Sequence, residues 1–303
     1  MSLRVRQVRP SLLPARRFMC SSTSAHPQPP PLLITRHDLG GKLVAESSNT
    51  GVIVTLALNR PEARNALNKA LVTALNDALS SLAQDQIARV LLLTSSAPTK
   101  AFCAGADLKE RANMSPSEVS SFVSSLRALM DGVENLPMPA LAVLEGGAYG
   151  GGLELALACD MRVAGPKAEM GLTETSLAII PGAGGTQRLP RLIGAARAKE
   201  MMFRATRIGT SEAHRLGLVN AVATEEEEGG VRGLAARWCR EIASNGPVAV
   251  RAAKQAVREG MEVPLAPGLE IERACYAKVI PTEDRLEGLR AFREKRKPVY
   301  AGK

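Results

Sequence analysis

Two glutamates and a run of glycines are the residues whose types and spacing best suit chemistry. Gly150–Gly152 precede an apolar segment that carries Glu154, and a second carboxylate, Glu174, follows twenty residues later. Glycines at a helix start let a ligand approach backbone N–H groups at the positive end of the helix dipole. A carboxylate in an apolar segment must be partnered or functional, because an unpaired buried charge is costly. Oxyanion-binding amides beside two carboxylates suit chemistry that adds or removes protons next to a carbonyl group.

Several other catalytic signatures are absent from the sequence. It contains no GxSxG nucleophile elbow, no GxxxxGK[ST] phosphate loop, no HExxH motif and no complete GxGxxG. Of the three histidines, His26 and His37 lie near the N-terminus and His214 lies in a polar segment, so a histidine-centred triad is not expected. The five cysteines are far apart and lack metal-ligand spacing, which indicates free thiols in a reducing compartment. We therefore expect no metal site and no cofactor.

Other polar residues beside these motifs have structural interpretations. Asp107 and Asp160 have the character of helix caps or structural acceptors, and Glu145, which faces the glycine turn, is likewise interpreted as structural. Cys103 and Cys159 have no basic neighbour in sequence that would activate a thiol, so we interpret them as packing residues. The proton-transfer candidates are therefore the two glutamates.

The elements that must position these residues alternate between strands and helices. A proline-containing capping box at Ser115–Glu118 predicts the start of a long helix. The strand at 140–144 is expected to lead directly into the glycine turn. Hydrophobic periodicity predicts strands at 51–58, 89–94 and 140–144, a helix at 66–84, and an almost wholly helical chain beyond the acidic run at 225–228. Such alternation predicts an α/β fold with largely parallel strands.

Composition and charge distinguish a globular chain from its basic N-terminus. The chain has 303 residues, 45% hydrophobic but only 3% aromatic, so its core should be aliphatic, and no apolar run approaches the length of a transmembrane helix. Residues 1–37 contain no acidic residue, and five arginines lie in the first seventeen positions, which accounts for much of the net charge of +9. This composition predicts a mitochondrial transit peptide, with a plastid peptide or a plain basic tail as alternatives.

Three ordered motifs resemble those of the enoyl-CoA hydratase/isomerase (crotonase) superfamily. They are Ala101–Leu108 (AFCAGADL), Gly150–Asp160 and Met170–Arg188, and the resemblance covers residues 45–303. Within that superfamily, residues 102–111, 150–160, 177–190 and 280–289 most resemble the mitochondrial methylglutaconyl-CoA hydratases, with related mitochondrial enoyl-CoA hydratases nearly as similar.

The resemblance implies a fold and an assembly. The fold is an α/β, crotonase-like spiral of ββα units with a helical C-terminal region used in trimer formation, and such trimers often pair into hexamers. On this basis, residues 1–40 are a transit peptide and disordered leader, 41–224 the spiral core with the active site, and 229–303 the oligomerisation region. The implied location is the mitochondrial matrix, with a plastid as the alternative.

The resemblance also implies roles for individual residues. The carbonyl of an acyl-CoA thioester would lie between the backbone N–H groups of Ala106 and Gly151. Glu154 and Glu174 would hold the water that adds across the α,β double bond, and Gly182 would contribute an amide near that water. Coenzyme A would be part of the substrate. Because relatives that isomerise double bonds often keep only one of these acids, the pair favours a hydratase.

The substrate remains open between two thioesters at this point. The resemblance favours 3-methylglutaconyl-CoA from leucine degradation, and the alternative is a straight short-chain enoyl-CoA of fatty-acid β-oxidation. Tyr149 departs from the aliphatic residue that is usual before the three glycines. Its phenol could narrow the acyl pocket or bind a polar acyl tail.

A different functional class, RNA binding, also has to be weighed. Hydratases of the branch that this chain resembles include RNA-binding members with a lysine-rich first long helix. The corresponding helix here, 66–84, has Lys69 as its only lysine, with Asp77 as a counter-charge. RNA binding needs several cations along one face, so we do not expect it.

Overall fold

Two sheets form the centre of the protein, which we describe from a computed structural model over residues 29–45, 51–97 and 101–303. The larger sheet has the order β1-β2-β3-β5-β7-β10 and the smaller one the order β4-β6-β8-β9. The strands are β1 (Leu32–Asp38), β2 (Val52–Leu58), β3 (Ala88–Ser95), β4 (Ala101–Cys103), β5 (Ala140–Leu144), β6 (Gly147–Tyr149), β7 (Met161–Ala164), β8 (Glu169–Gly171), β9 (Ile208–Gly209) and β10 (Ala221–Val222). Only the β1–β2 and β8–β9 pairs are antiparallel.

In the described chain, the first seven helices lie between strands, and the last four follow β10 in succession. They are α1 (Lys69–Ala83), α2 (Leu108–Arg111), α3 (Pro116–Glu134), α4 (Gly151–Leu157), α5 (Gly185–Ile193), α6 (Ala195–Phe203), α7 (Thr210–Arg215), α8 (Gly230–Ala243), α9 (Pro247–Gly260), α10 (Leu265–Val279) and α11 (Glu283–Glu294). Short 3-10 turns at Pro61–Ala63 and Glu174–Leu177 complete the regular structure of the described chain.

From β3 to β8, successive strands alternate between the two sheets, which makes the fold a spiral. β3, β5 and β7 lie in the larger sheet, whereas β4, β6 and β8 follow them in the smaller sheet, and a helix follows each strand pair. This arrangement confirms the predicted spiral of ββα units. One local expectation was wrong: β5 does not lead directly into the glycine turn. The short strand β6 intervenes, because Gly147 and Ala148 pair with β4 in parallel.

The first long helix begins later than its hydrophobic pattern predicts. The side chain of Asn68 accepts a hydrogen bond from the Leu71 amide, which fixes Asn68 as the N-cap and Lys69 as the first helical residue. Leu67 forms a β-bridge with Ala106, although it belongs to the apolar pattern. The capping box of α3 is present as predicted, with Ser115 and Glu118 bonded reciprocally.

The larger sheet is buried on both faces. In β5, Ala140, Ala142 and Leu144 pack into the main core, whereas Leu141 and Val143 face a second cluster on the opposite side. That second cluster includes Val231, Leu234, Ala235 and Cys239, all of α8. α8 thus covers one face of the sheet. This helix lies in the predicted oligomerisation region, 229–303, but it packs against the sheet of the predicted core, 41–224.

The first strand lies within the segment 1–40 that was assigned to the leader. β1 pairs along its whole length with β2, from Leu32 opposite Leu58 to Asp38 opposite Val52. The folded chain therefore includes residues 32–38, and a disordered leader reaching residue 40 was wrong, since these residues are bonded into the sheet. The arginine-rich part of the predicted leader lies outside the described residues.

The C-terminal helices expose many large apolar side chains. Phe292 is 87% exposed and Leu265 78% exposed, in contrast to the closely packed core. Other exposed apolar residues of this region are Val257, Met261, Leu269, Tyr276, Ile280, Leu286, Leu289 and Val299. Among the described residues, no helix is both long enough and apolar enough to cross a membrane.

Candidate active site

A cavity of about 430 Å³ opens where β4, β6 and β8 end. Ala106 follows β4, Gly151 and Glu154 follow β6, and Glu174 follows β8, and all four line this cavity. These strands are parallel neighbours, so their carboxyl ends lie at one edge of the smaller sheet. The sheet therefore brings together residues that are distant in sequence.

The loops after β4 and β6 approach each other closely at two glycines. Gly105 has φ +90°, and a Cβ there would lie 3.2 Å from the Gly151 nitrogen and 2.8 Å from the Tyr149 carbonyl oxygen. A Cβ on Gly151 would lie 3.6 Å from the Ala106 nitrogen. The absence of a side chain at Gly105 thus lets the two loops approach, which brings the backbone amides of Ala106 and Gly151 close together.

Both amides are available to a ligand. Gly151 is the first residue of α4, whose opening N–H groups have no intrahelical acceptor, and Gly150 before it has φ +51°. Within residues 29–45, 51–97 and 101–303, neither the Ala106 nor the Gly151 amide has a protein acceptor. A partial negative charge placed between them would meet two donors at the positive end of a helix.

Glu154 is buried and held by backbone amides. It is only 3% exposed, and its Oε1 accepts hydrogen bonds of 2.8 Å from the amides of Ala183 and Gly185. Burial raises the pKa of Glu154, whereas these two amides and the charges of Arg188 and Arg127 oppose that rise. The second oxygen of the carboxylate is left for another partner.

Glu174 is less buried than Glu154. It begins the 3-10 turn after β8, and its Oε2 is buried without a hydrogen-bond partner in the part of the chain that the structure describes. Burial, together with the negative charge of Glu154, raises the pKa of Glu174 to about 7. A carboxyl group in this state can donate a proton near neutral pH.

Three arginines give the cavity wall a positive charge. Arg64, Arg111 and Arg207 all line it, and none of them forms an ion pair with a carboxylate among the described residues. The Arg207 guanidinium lies 4.4 Å from the centre of the Tyr149 ring, in cation–π geometry. The Tyr149 hydroxyl donates to Glu169 over 2.9 Å, which fixes this aromatic wall.

Comparison with known proteins assigns this chain to a family. The sequence model described as "Enoyl-CoA hydratase/isomerase" matches residues 48–303. The chain belongs to this family. Among solved structures, an enoyl-CoA hydratase from Bacillus anthracis is similar with a TM-score of 0.80 and 49% identity, over 83% of this chain and 96% of that one.

Two human relatives with different names are equally similar to this member of the family. One is the mitochondrial methylglutaconyl-CoA hydratase, 52% identical over 85% of this chain and 76% of its own length. The other is the mitochondrial enoyl-CoA hydratase domain-containing protein 2, 52% identical over 83% of this chain and 86% of its own length. Overall identity therefore does not distinguish between the two.

The five site residues expected from sequence all line the one cavity. They are Ala106, Gly151, Glu154, Glu174 and Gly182. The carbonyl of Gly182 accepts a hydrogen bond from Arg127. Its predicted role near a bound water stays a prediction.

The polar residues interpreted as structural lie in structural positions. Asp107 caps α2, and Asp160 accepts from the Ala140 amide and from Lys254. Glu145 pairs with Arg232 and accepts from Thr94, and Cys103 and Cys159 are buried. Burial also raises the pKa of both thiols to about 12, so neither is a thiolate.

Sequence reasoning missed the groups that support the two loops. Asn65, with φ +55°, donates through its side chain to Ser95 and to the carbonyls of Ala101 and Phe102, and so holds β4 in place. The contact of Glu154 with two amides from 183–185 was also not anticipated. Nothing in the local pattern indicates these contacts, because they join segments that are far apart in sequence.

Proposed function

We propose that this protein is a hydratase that adds water across the α,β double bond of a short-chain enoyl-CoA thioester. The observation that carries the proposal is that two free backbone amides, the buried carboxyl group of Glu154 and the half-buried carboxyl group of Glu174 face one cavity. The amides of Ala106 and Gly151 suit the thioester oxygen, and Glu154 and Glu174 suit a water molecule. Membership of the enoyl-CoA hydratase/isomerase family supports the same conclusion.

The environments of the two carboxyl groups support a division of roles. Glu154, held by two amides and faced by two arginines, acts as the base that removes a proton from water. The water oxygen then bonds to the β-carbon, and the π electrons move onto the thioester oxygen between the Ala106 and Gly151 amides. Glu174, with the raised pKa, delivers its proton to the α-carbon as the carbonyl re-forms. Exchange with solvent afterwards restores both protonation states.

The amides supply the electrostatic part of the reaction. Negative charge develops on the thioester oxygen in the transition state, and preorganised donors stabilise it without rearranging. The loss of one such donor typically costs about 3–4 kcal/mol of transition-state stabilisation. Coenzyme A enters as part of the substrate, and we propose that the reaction needs no metal and no other cofactor.

We further propose 3-methylglutaconyl-CoA as the substrate, in leucine degradation. The similarity to a methylglutaconyl-CoA hydratase supports this choice, and so do the arginines on the cavity wall. The acyl group of this thioester ends in a carboxylate, for which an arginine without a carboxylate partner is a suitable ligand. Crotonyl-CoA, the straight-chain rival, offers no such charge.

The test is kcat/KM for both thioesters on one preparation, with Arg64→Gln, Arg111→Gln and Arg207→Gln alongside. If an arginine binds the distal carboxylate, its glutamine variant should have a kcat/KM more than tenfold lower for methylglutaconyl-CoA and little changed for crotonyl-CoA. If it binds the phosphates of coenzyme A, the variant's kcat/KM should fall equally for both thioesters. A more than tenfold preference of the wild type for crotonyl-CoA would overturn the leucine assignment and leave the hydratase proposal intact.

We propose a mitochondrial location, in the matrix. The acid-free, arginine-rich N-terminus and the mitochondrial names of the relatives support it. A reporter carrying residues 1–28 should be imported into mitochondria, and replacing the five arginines by glutamine should prevent import. Retention of the intact fusion in the cytosol would contradict the proposal, and delivery to plastids would replace it.

We propose weak RNA binding at most. In α1, Lys69 pairs with Glu118, which leaves this helix without a stripe of free cations. Tight RNA binding by the purified protein at physiological salt would contradict this.

A further inference from the structure

Glu154 is held by a loop that is itself held from behind by two arginines. The peptide unit between Gly182 and Ala183 donates its N–H to Glu154, and its C=O accepts from Nε of Arg127 over 2.7 Å. Because a trans peptide is planar, with its N–H and C=O pointing in opposite directions, Arg127 and Glu154 lie on opposite sides of one rigid unit. Turning that unit would break both bonds at once.

Arg188 holds the next peptide unit. Its Nη1 donates to the carbonyl of Ala183 over 3.1 Å, one residue before the Gly184–Gly185 peptide that supplies the second amide to Glu154. Gly184 has φ +106°, and a Cβ there would lie 2.1 Å from Nη1 of Arg188. Position 184 therefore has to be glycine for the guanidinium to reach the loop.

Two carboxylates of α3 fix Arg188 in turn. Its Nη2 contacts Asp131 at 3.0 Å and also pairs with Glu134, which accepts from Nε as well. The Arg188 side chain is only 15% exposed, whereas Arg127 is exposed. Arg127, Asp131 and Glu134 recur at helical spacing on α3, so one polar stripe of this helix faces the loop.

We propose that Arg127 and Arg188 are positioning residues for the reaction: they hold the 182–185 loop so that its amides stay on Glu154. This inference rests on the proposed function of Glu154 as the base. Neither arginine lines the cavity, so each acts through the loop. Because Arg188 is the more buried and the more extensively bonded of the two, it makes the larger contribution.

The charged groups that face Glu154 make a pH profile the decisive measurement. They are Arg188 of α5, Arg127 of α3 and, from the turn after β8, Glu174. The two arginines favour the ionised form of Glu154, so their removal should raise its pKa and move the acidic limb of kcat/KM to higher pH. Arg188→Gln should shift that limb by at least about half a pH unit, and Arg127→Gln by less.

The variants are Arg127→Gln, Arg188→Gln and Arg188→Lys, with Arg191→Gln as the matched control. Arg191 lies on the same helix as Arg188, but it bonds to Gln187 and not to the loop. We expect kcat to fall about tenfold or more for Arg188→Gln with KM little changed, and the control to resemble the wild type. Arg188→Lys keeps the positive charge but loses the planar guanidinium with its several donors. Its acidic limb should therefore shift less than that of Arg188→Gln, although kcat still falls.

A double-variant cycle separates positioning from simple destabilisation. In the Glu154→Gln background, Arg188→Gln should have almost no further effect on kcat, because the group through which it acts is gone. Equal losses in both backgrounds, or an unshifted acidic limb in folded Arg188→Gln, would overturn the inference. If Glu154→Gln itself retains full activity, the proposed function fails instead, so the two failures are distinguishable.

Discussion

Burial and the negative charge of Glu154 raise the pKa of Glu174, and this predicts how the proposed reaction depends on pH. We expect kcat/KM for hydration to fall as the pH rises above about 7, because the proton that Glu174 must donate is then lost. The residual activity of Glu174→Gln should lack this alkaline limb, which pH–rate profiles of the two proteins would reveal. An identical alkaline limb in the variant would assign that limb to another group.

The same raised pKa affects folding stability. The native pKa of about 7 lies above the ordinary value of 4.5, so the native state binds the proton more tightly than the unfolded state. Stability from this group is complete below about pH 4.5 and is lost as the pH rises through 7. Thermal unfolding at pH 5 and pH 8 should show a smaller loss for Glu174→Gln than for the wild type.

The two glutamates should each be indispensable to turnover. Loss of a positioned proton-transfer group typically costs about 10²–10⁴-fold, so Glu154→Gln and Glu174→Gln should each lower kcat at least a hundredfold. Both are near-isosteric changes, and circular dichroism should show both variants folded. Near wild-type turnover by either one would remove that residue from the mechanism.

Residue types indicated this site because a glutamate in an apolar, glycine-led segment would be a costly unpaired charge unless it were partnered or functional. Glu154 and Glu174 could be selected on those grounds and on the family resemblance. The supporting groups, Asn65, Arg127 and Arg188, could not. Polar residues of these kinds are common on surfaces, and only their tertiary partners distinguish them.

At the scale of elements, the crossing of β4 and α4 sets the separation of the two amides. A Cβ on Gly152 would lie 2.2 Å from the Cys103 carbonyl oxygen, so Gly152→Ala must push helix and strand apart. Overpacking costs about 1–3 kcal/mol, and a shift of about 1 Å at a catalytic group can cost a hundredfold in rate. We expect Gly152→Ala to lower kcat at least tenfold and to lower Tm.

Gly209→Ala is the control for that substitution. A Cβ at Gly209 would meet nothing within 4 Å, and the residue has an ordinary φ of −79°. Kinetics and thermal unfolding of this variant should match the wild type. If Gly152→Ala also matches it, the crossing does not determine the activity.

Elements were predictable where the chain's own pattern defines them. The capping box fixed the start of α3, and the strands at 52–58 and 88–95 followed their apolar runs within one residue at each end. Short strands such as β6 were missed, because three residues carry too little periodicity to be recognised. β1 was missed because it lies beside a basic leader and only Leu32 of its seven residues is buried.

At the scale of the whole molecule, the C-terminal helices expose a group of large apolar side chains. Exposed apolar surface of this extent marks an interface, and we propose that it joins copies of this chain into a trimer or hexamer. Leu265→Glu and Phe292→Glu should lower the mass in analytical ultracentrifugation, since each places a charge in the contact. Leu43→Glu, at an exposed apolar residue outside this region, is the control. An unchanged mass for both helix variants would contradict the proposal.

In the proposed mechanism, the residues that follow β4, β6 and β8 place the reacting groups on three turns of the spiral. The first turn supplies the Ala106 amide, the second Gly151 and Glu154, and the third Glu174. We therefore propose that the first two turns polarise the thioester and that the third delivers the proton to the α-carbon. The acid of the third turn lies on a different element from the two amides, so it can change without altering the amides proposed to bind the thioester oxygen. One fold can therefore support different reactions while it keeps the same binding site for the thioester.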